Sequence, residues 1–177
     1  GPIVAIATDG SLSVNQPVNA SLGGNILLKA ATTGANDKNL VVNAAITSGS
    51  GHISLLANFD LQFTAVGDVM TGGGAVDLWA EKGTLTMDSD SLIMSHGGVI
   101  RAEAEVDVML GKLNAAAGIL SVNATTGSIT GNGTMNIDLA GASLRLVAGD
   151  AVGAPGEHLD TAVDKVAAQA GAGGIHL

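Results

Sequence analysis

The chain of 177 residues has no cysteine and no tyrosine, and its whole aromatic content is Phe59, Phe63 and Trp79. Without cysteine, disulfides, thiolate metal sites and thiol nucleophiles are all excluded, and the redox compartment is left open. Lys and Arg number only seven against sixteen Asp and Glu, for a net charge of −9. Phosphate backbones need a basic footprint, so nucleic acid is not an expected partner. No run approaches 18 consecutive apolar residues, so no transmembrane helix and no membrane insertion are expected. With 46% hydrophobic residues but 2% aromatic, the core has to be built from Val, Ile, Leu and Ala. Such a core is thin and regular, because large rings are what fill irregular interior space.

What the chain does have is glycine, 26 residues of it, in a repeated setting. Gly51-His52-Ile53-Ser54-Leu55-Leu56-Ala57 places apolar residues at every second position after a glycine. The same form recurs from Gly24, Gly74, Gly98 and Gly118, and from Gly141 with one extra residue before Leu144. The first inward residues are thus 26, 53, 76, 100, 120 and 144, at intervals of 27, 23, 24, 20 and 24. A second ladder begins at 12, 40, 61, 85 and 106, with Met135 as its sixth member. Val66-Gly67-Asp68-Val69 and Gly127-Ser128-Ile129-Thr130 fit a third short strand. Strand-period alternation with Gly, Asn, Ser and Asp corners, repeated every 20 to 27 residues, is the signature of a stacked array.

The fold class read from these ladders is all-β, a right-handed parallel β-helix (solenoid) of about six to seven coils, the hand following from the preference for right-handed crossovers. Each coil's partners are then the neighbouring coils of the same chain, stacked about 4.8 Å apart. Asn15 and Asn43 fall at the same place in two coils and predict an amide ladder, which Met87-Asp88 interrupts. The segment 1–177 reads as a single domain, with Gly1-Pro2 as a protease-cleavage remnant and the rest as a piece of something longer. Residues 31–39 are polar and read as a surface loop. The stretch 152–177 is an atypical last coil: Leu159, Val163 and Val166 suit a short helix, but two strands followed by a restarted rung at Gly173-Gly174-Ile175 are the preferred reading.

Candidate chemistry is sparse. His52, His96, His158 and His176 have no paired ligand spacing and read as turn residues. Gly72-Gly73-Gly74 and Gly171-Ala172-Gly173-Gly174 lack the Lys-Ser/Thr of a phosphate loop. Asp88 and Asp90 could hold calcium loosely, but Ala75 breaks the Gly-Gly-x-Gly-x-Asp calcium repeat at Gly72–Asp77. Glu103, Glu105 and Asp107 alternate with Ala104 and Val106, which predicts three carboxylates on the outer face of one strand. They are the best candidates for a carbohydrate-active enzyme; a solvated acidic face is the preferred reading. Trp79 is expected to point outward, where it could join the 31–39 loop in a contact patch. No catalytic, cofactor-binding or metal residue is assigned, and no cofactor is expected.

The Gly-x-Ile-x-Leu-x-Ala rungs, the Leu-x-Val-Asn half-coils at 12 and 40, and Val152-Gly153-Ala154-Pro155-Gly156 running through Leu159-Asp160-Thr161-Ala162-Val163 into Gly173-Gly174-Ile175 resemble filamentous-haemagglutinin-type giant repetitive surface proteins of bacteria. The resemblance covers nearly the whole chain. It implies a β-helical shaft, export to the cell surface or medium, and a non-catalytic role in adhesion or partner contact. The unpaired coil ends add an expectation of end-to-end self-association.

Overall fold

In the computed structural model, which describes residues 1–34, 37–133 and 138–177, the chain is a parallel β-solenoid of about seven turns. Each coil has three short strands. The first face carries Ile3–Ala7, Ile26–Ala30, Ile53–Ala57, Val76–Ala80, Ile100–Ala104 and Ile119–Ala124, and then the second half of Leu139–Ala148. The second face runs from Leu12–Val14 through Leu40–Val42, Leu61–Phe63, Leu85–Met87, Val108–Leu110, Ile129–Gly131 and Ala151–Val152 to Gly174–Ile175. The third face carries Val18–Ala20, Ile46–Ser48, Val69–Thr71, Leu92–Met94 and Lys112–Asn114, then the start of Leu139–Ala148.

The inward ladder of the first face has the register expected from sequence: Ile3, Ile26, Ile53, Val76, Ile100, Leu120 and Leu144 pair in succession. Two residues along, Leu28, Leu55, Leu78, Ala102, Val122 and Leu146 form a parallel column. Apart from Ile3, which is partly buried, these side chains are buried, and each buried Ile, Leu or Val contributes roughly 1.5–3 kcal/mol from the apolar surface it removes from water.

The glycine that opens four of the first-face rungs is required by the rung beneath it. A Cβ on Gly51, Gly74, Gly98 or Gly118 would run into the carbonyl oxygen of Gly24, Gly51, Gly74 or Gly98 respectively. Buried hydroxyls complete this corner: Ser48 Oγ donates to Gly24 O (2.8 Å) and accepts from Gly51 N (3.0 Å), and Thr71 Oγ1 donates to Gly51 O (2.7 Å) and accepts from Gly74 N (3.2 Å). No polar group of the corner is thereby left dry and unpaired. At the far corner of the second face, Asn43 Nδ2 donates to Asn15 Oδ1 at 2.9 Å, the expected amide ladder. It ends one coil earlier than expected, at Thr64, whose hydroxyl donates to Val42 O instead.

Several expectations need correction. The second-face ladder passes from Leu85 to Val108, not to Val106, and its sixth member is Ile129, which is therefore on the second face and not in the third strand expected over residues 127–130. Val106 sits in the turn and is exposed, because the corner after Ala104 takes the residues that the alternation seemed to assign to a strand. Met135 lies outside the described residues. Val66 is likewise in a turn, the third strand starting only at Val69.

The last coil is strand and not helix: among the described residues the only helical element is a 3₁₀ turn at Ser21–Gly23. Thr161–Gln169 is one continuous strand along Leu139–Ala148, so the expected pair of strands is fused. The first-face rung there is Val166 on Leu144, while Ile175 pairs with Val152 on the second face and does not restart the first. Fusion follows from the extra residue after Gly141, which lets the chain round that corner in extended form and joins the first and third faces into one sheet. In the loop, residues 31–34 and 37–39 form no strand, and Lys38 Nζ lies 3.7 Å from Asp9 Oδ1.

Candidate functional site

Alternation that points Ile53, Leu55 and Ala57 inward points the residues between them outward, so the first face has two outer columns. One runs Val4, Leu27, Ser54, Asp77, Arg101, Ser121, Arg145; the other Ile6, Lys29, Leu56, Trp79, Glu103, Asn123, Val147. The early coils are largely apolar on this outer surface and the later ones polar, and Trp79 stands at the change. The columns enclose a shallow groove of about 290 Å³, lined by Leu27, Ser54, Leu56, Asp77, Trp79, Arg101 and Glu103 along with Leu78.

Trp79 points outward as expected, 45% exposed, with Leu56 on one side and Glu103 on the other. Arg101 reaches back one coil, its Nε donating to Asp77 Oδ1 at 2.9 Å and its Nη2 forming an ion pair with the same oxygen at 2.8 Å. Both partners are solvated, so the pair adds at most about 1 kcal/mol to stability. Its consequence is geometric: the guanidinium is fixed beside the indole, and Asp77 Oδ2 is left outside the pair. Among the described residues, no hydrogen bond or ion pair engages the Glu103 carboxylate.

The three acidic candidates do not share a strand. Strand Ile100–Ala104 stops before Glu105, so only Glu103 belongs to the outer face. Asp107 is a corner residue whose Oδ1 accepts from Ser128 N at 2.8 Å. The same device recurs at that corner in other coils, where Asn39 Oδ1 accepts from Asp60 N (3.1 Å) and Asp60 Oδ1 from Thr84 N (2.9 Å). Gly83 and Gly127 have to be glycine because a Cβ there would meet the carboxylates of Asp60 and Asp107 and also the backbone of Phe59 and Val106, which cannot move aside. An aspartate followed about one coil later by Gly-Thr or Gly-Ser is therefore a capping arrangement for the next coil's amide.

The histidines are spread along the rod. His52 Nδ1 accepts from Ala75 N at 2.9 Å while its own N–H donates to Asn25 Oδ1, so His52 caps a corner. His96 Nδ1 donates to Thr71 O at 2.9 Å. His158 and His176 come together near the C-terminus, ring centres 6.1 Å apart. Asp88 Oδ1 accepts from Asp90 N, and Asp90 lies 4.0 Å from Lys112 Nζ. Among the described residues no three His, Cys, Asp or Glu side chains are arranged to hold a metal ion.

A second hollow, of about 540 Å³, was not visible in the sequence. Gly131, Gly133, Asp138, Gly156, Glu157, His158 and Asp160 line it. Burial raises the Asp138 carboxyl above its ordinary pKa; the Asp160 N–H pulls it back, the charges of Asp160 and Glu157 raise it further, and Lys112 lowers it. These residues come from two coils, and only the coil register brings them together. Comparison with protein-family models, curated proteins and solved structures gives no match.

Proposed function

We propose that the chain is a non-catalytic structural and interaction module, part of the rod-like shaft of a very large exported, adhesin-like surface protein, as its resemblance to filamentous-haemagglutinin-type proteins implies. The observation that supports this best is the continuity of coil pairing from Ile3 to Ile175. In such an array each coil touches only its neighbours, so length grows by adding coils and the outer columns can change without disturbing the core. The reading places the protein outside the cell, with adhesion or cell-surface contact as its task. The open strand edges of the terminal coils suit pairing with further coils or, in isolation, with a second copy.

Antibodies raised against this segment test the reading on intact cells of the source organism. Labelling without permeabilisation is the expected result. Labelling that appears only after the envelope is opened would overturn the surface location and the shaft role with it.

A further inference from the structure

The outer groove of the first face has a composition that selects its ligand. One indole lies open to solvent, and around it stand two carboxylates and a guanidinium. Arg101 directs its recorded hydrogen bond and its ion-pair contact to Asp77 Oδ1. Among the described residues no recorded bond engages Asp77 Oδ2 or the Glu103 carboxylate, which leaves these oxygens able to accept and the remaining guanidinium nitrogen able to donate.

Three ligand classes fit poorly. A purely apolar partner would cover Asp77 and Glu103 without offering them hydrogen bonds, and stripping charges of water uncompensated is costly. An anionic ligand meets a groove whose formal charge is −1, from two carboxylates and one guanidinium that is already paired. A quaternary ammonium is bound by several aromatic rings together, and the chain has a single Trp and no Tyr. A polyhydroxylated neutral ring fits all of these features. Its C–H face can lie on the indole, and each hydroxyl both donates and accepts, so neighbouring hydroxyls can satisfy carboxylate and guanidinium together. About 290 Å³ is at the small end of ligand sites, enough for a short piece of a chain.

We infer that this groove binds a neutral oligosaccharide, with one pyranose ring stacked on Trp79 and its hydroxyls bonded to Asp77, Arg101 and Glu103. The inference rests on the scaffold reading above, since the glycan is held and not cleaved. Outward Ser121 and Asn123 continue the polar columns beyond Arg101 and Glu103, so the sugar chain runs along the rod axis.

Trp79 is the sole tryptophan, so its emission reports on this site alone. Cellohexaose, xylohexaose, mannohexaose and chitohexaose are the probes, with a heparin hexasaccharide and tetramethylammonium as counter-probes. A saturable change in emission with at least one neutral probe, insensitive to added salt, is expected. Calorimetry should then show Trp79→Ala and Asp77→Ala each weakening that probe about tenfold or more, corresponding to 1.4 kcal/mol, with both variants still folded and the thermal midpoint of Asp77→Ala lowered by no more than the few degrees that loss of its ion pair with Arg101 entails. The inference is overturned if none of the four neutral probes binds, if only heparin or tetramethylammonium binds, or if Trp79→Ala binds as the parent does. Shortening of a bound probe, seen by mass spectrometry, would instead sink the scaffold reading while leaving the groove's ligand intact.

Discussion

The corner leading into the first face is built in two ways. At Gly51, Gly74, Gly98 and Gly118 the chain turns so tightly over the coil below that a side chain would collide with backbone, whereas at Gly141 a Cβ would stand 3.2 Å from Gly118 O and an extra residue eases the turn. None of these glycines has positive φ. Glycine is thus demanded by the approach of the next coil and not by backbone handedness, and where the approach loosens the two flanking faces merge into one strand. Spacing between coils, more than local conformation, decides which positions are invariant in kind.

The sharpest way to break this contrast is to add one methyl group at each type of corner. Gly74→Ala is expected to cost about 4 kcal/mol or more, and Gly141→Ala to stay within about 1 kcal/mol of the parent, both read from urea unfolding. Similar losses at the two sites would remove the distinction. A smaller contrast separates middle from end: Leu55→Ala, in the sealed interior, should lose about 2–5 kcal/mol. Val166→Ala, at a rung where the side chain is 51% exposed, should lose about 1 kcal/mol or less.

The smallest effect tests the loosened end by pH. Burial raises the native pKa of Asp138 above its ordinary 3.8. The native state therefore holds this proton more tightly than the unfolded chain, and stability falls as pH climbs from the unfolded value through the raised native one. Asp138→Asn, whose side-chain oxygen can still accept from Asp160 N, removes that loss. The variant should gain on the parent as pH rises from about 3 to neutral, and a difference between the two that does not vary with pH would refute the shift.

Much of the fold was legible because a period of two, started by a glycine, fixes which side chains face inward, and one slip would turn them all out. The ladder from Ile26 to Leu144 followed directly from that. Legibility failed where corners vary in length: Val106-Asp107-Val108 looks like Leu61-Gln62-Phe63, yet its first residue is still in the turn. At the C-terminus, Leu159, Val163 and Val166 have helical spacing although Val163 and Val166 lie in one strand, paired with Gly141 and Leu144 on either side of a corner, and Leu159 precedes it. For the outer groove, Trp79's direction could be read from alternation. The ladder that sets 76 against 100 also sets Asp77 against Arg101, but the bond between their side chains is a matter of side-chain conformation that the alternation does not specify. The hollow around Asp138 needed the register of two coils.

Strand pairing joins only adjacent coils, although the bond from Asn132 Nδ2 to Met87 O spans one coil, and this bears on how the molecule forms and opens. Every strand pairs with one from the coil before or after it, so ordering one coil gives the next a template at the cost of closing one short loop. Folding can then start wherever two coils first meet and advance in both directions like a zipper, with no central nucleus to wait for. Opening should run the other way, from the solvent-exposed terminal rung at Val166 inward, and amide hydrogen exchange would record it as protection rising coil by coil toward the middle of the rod.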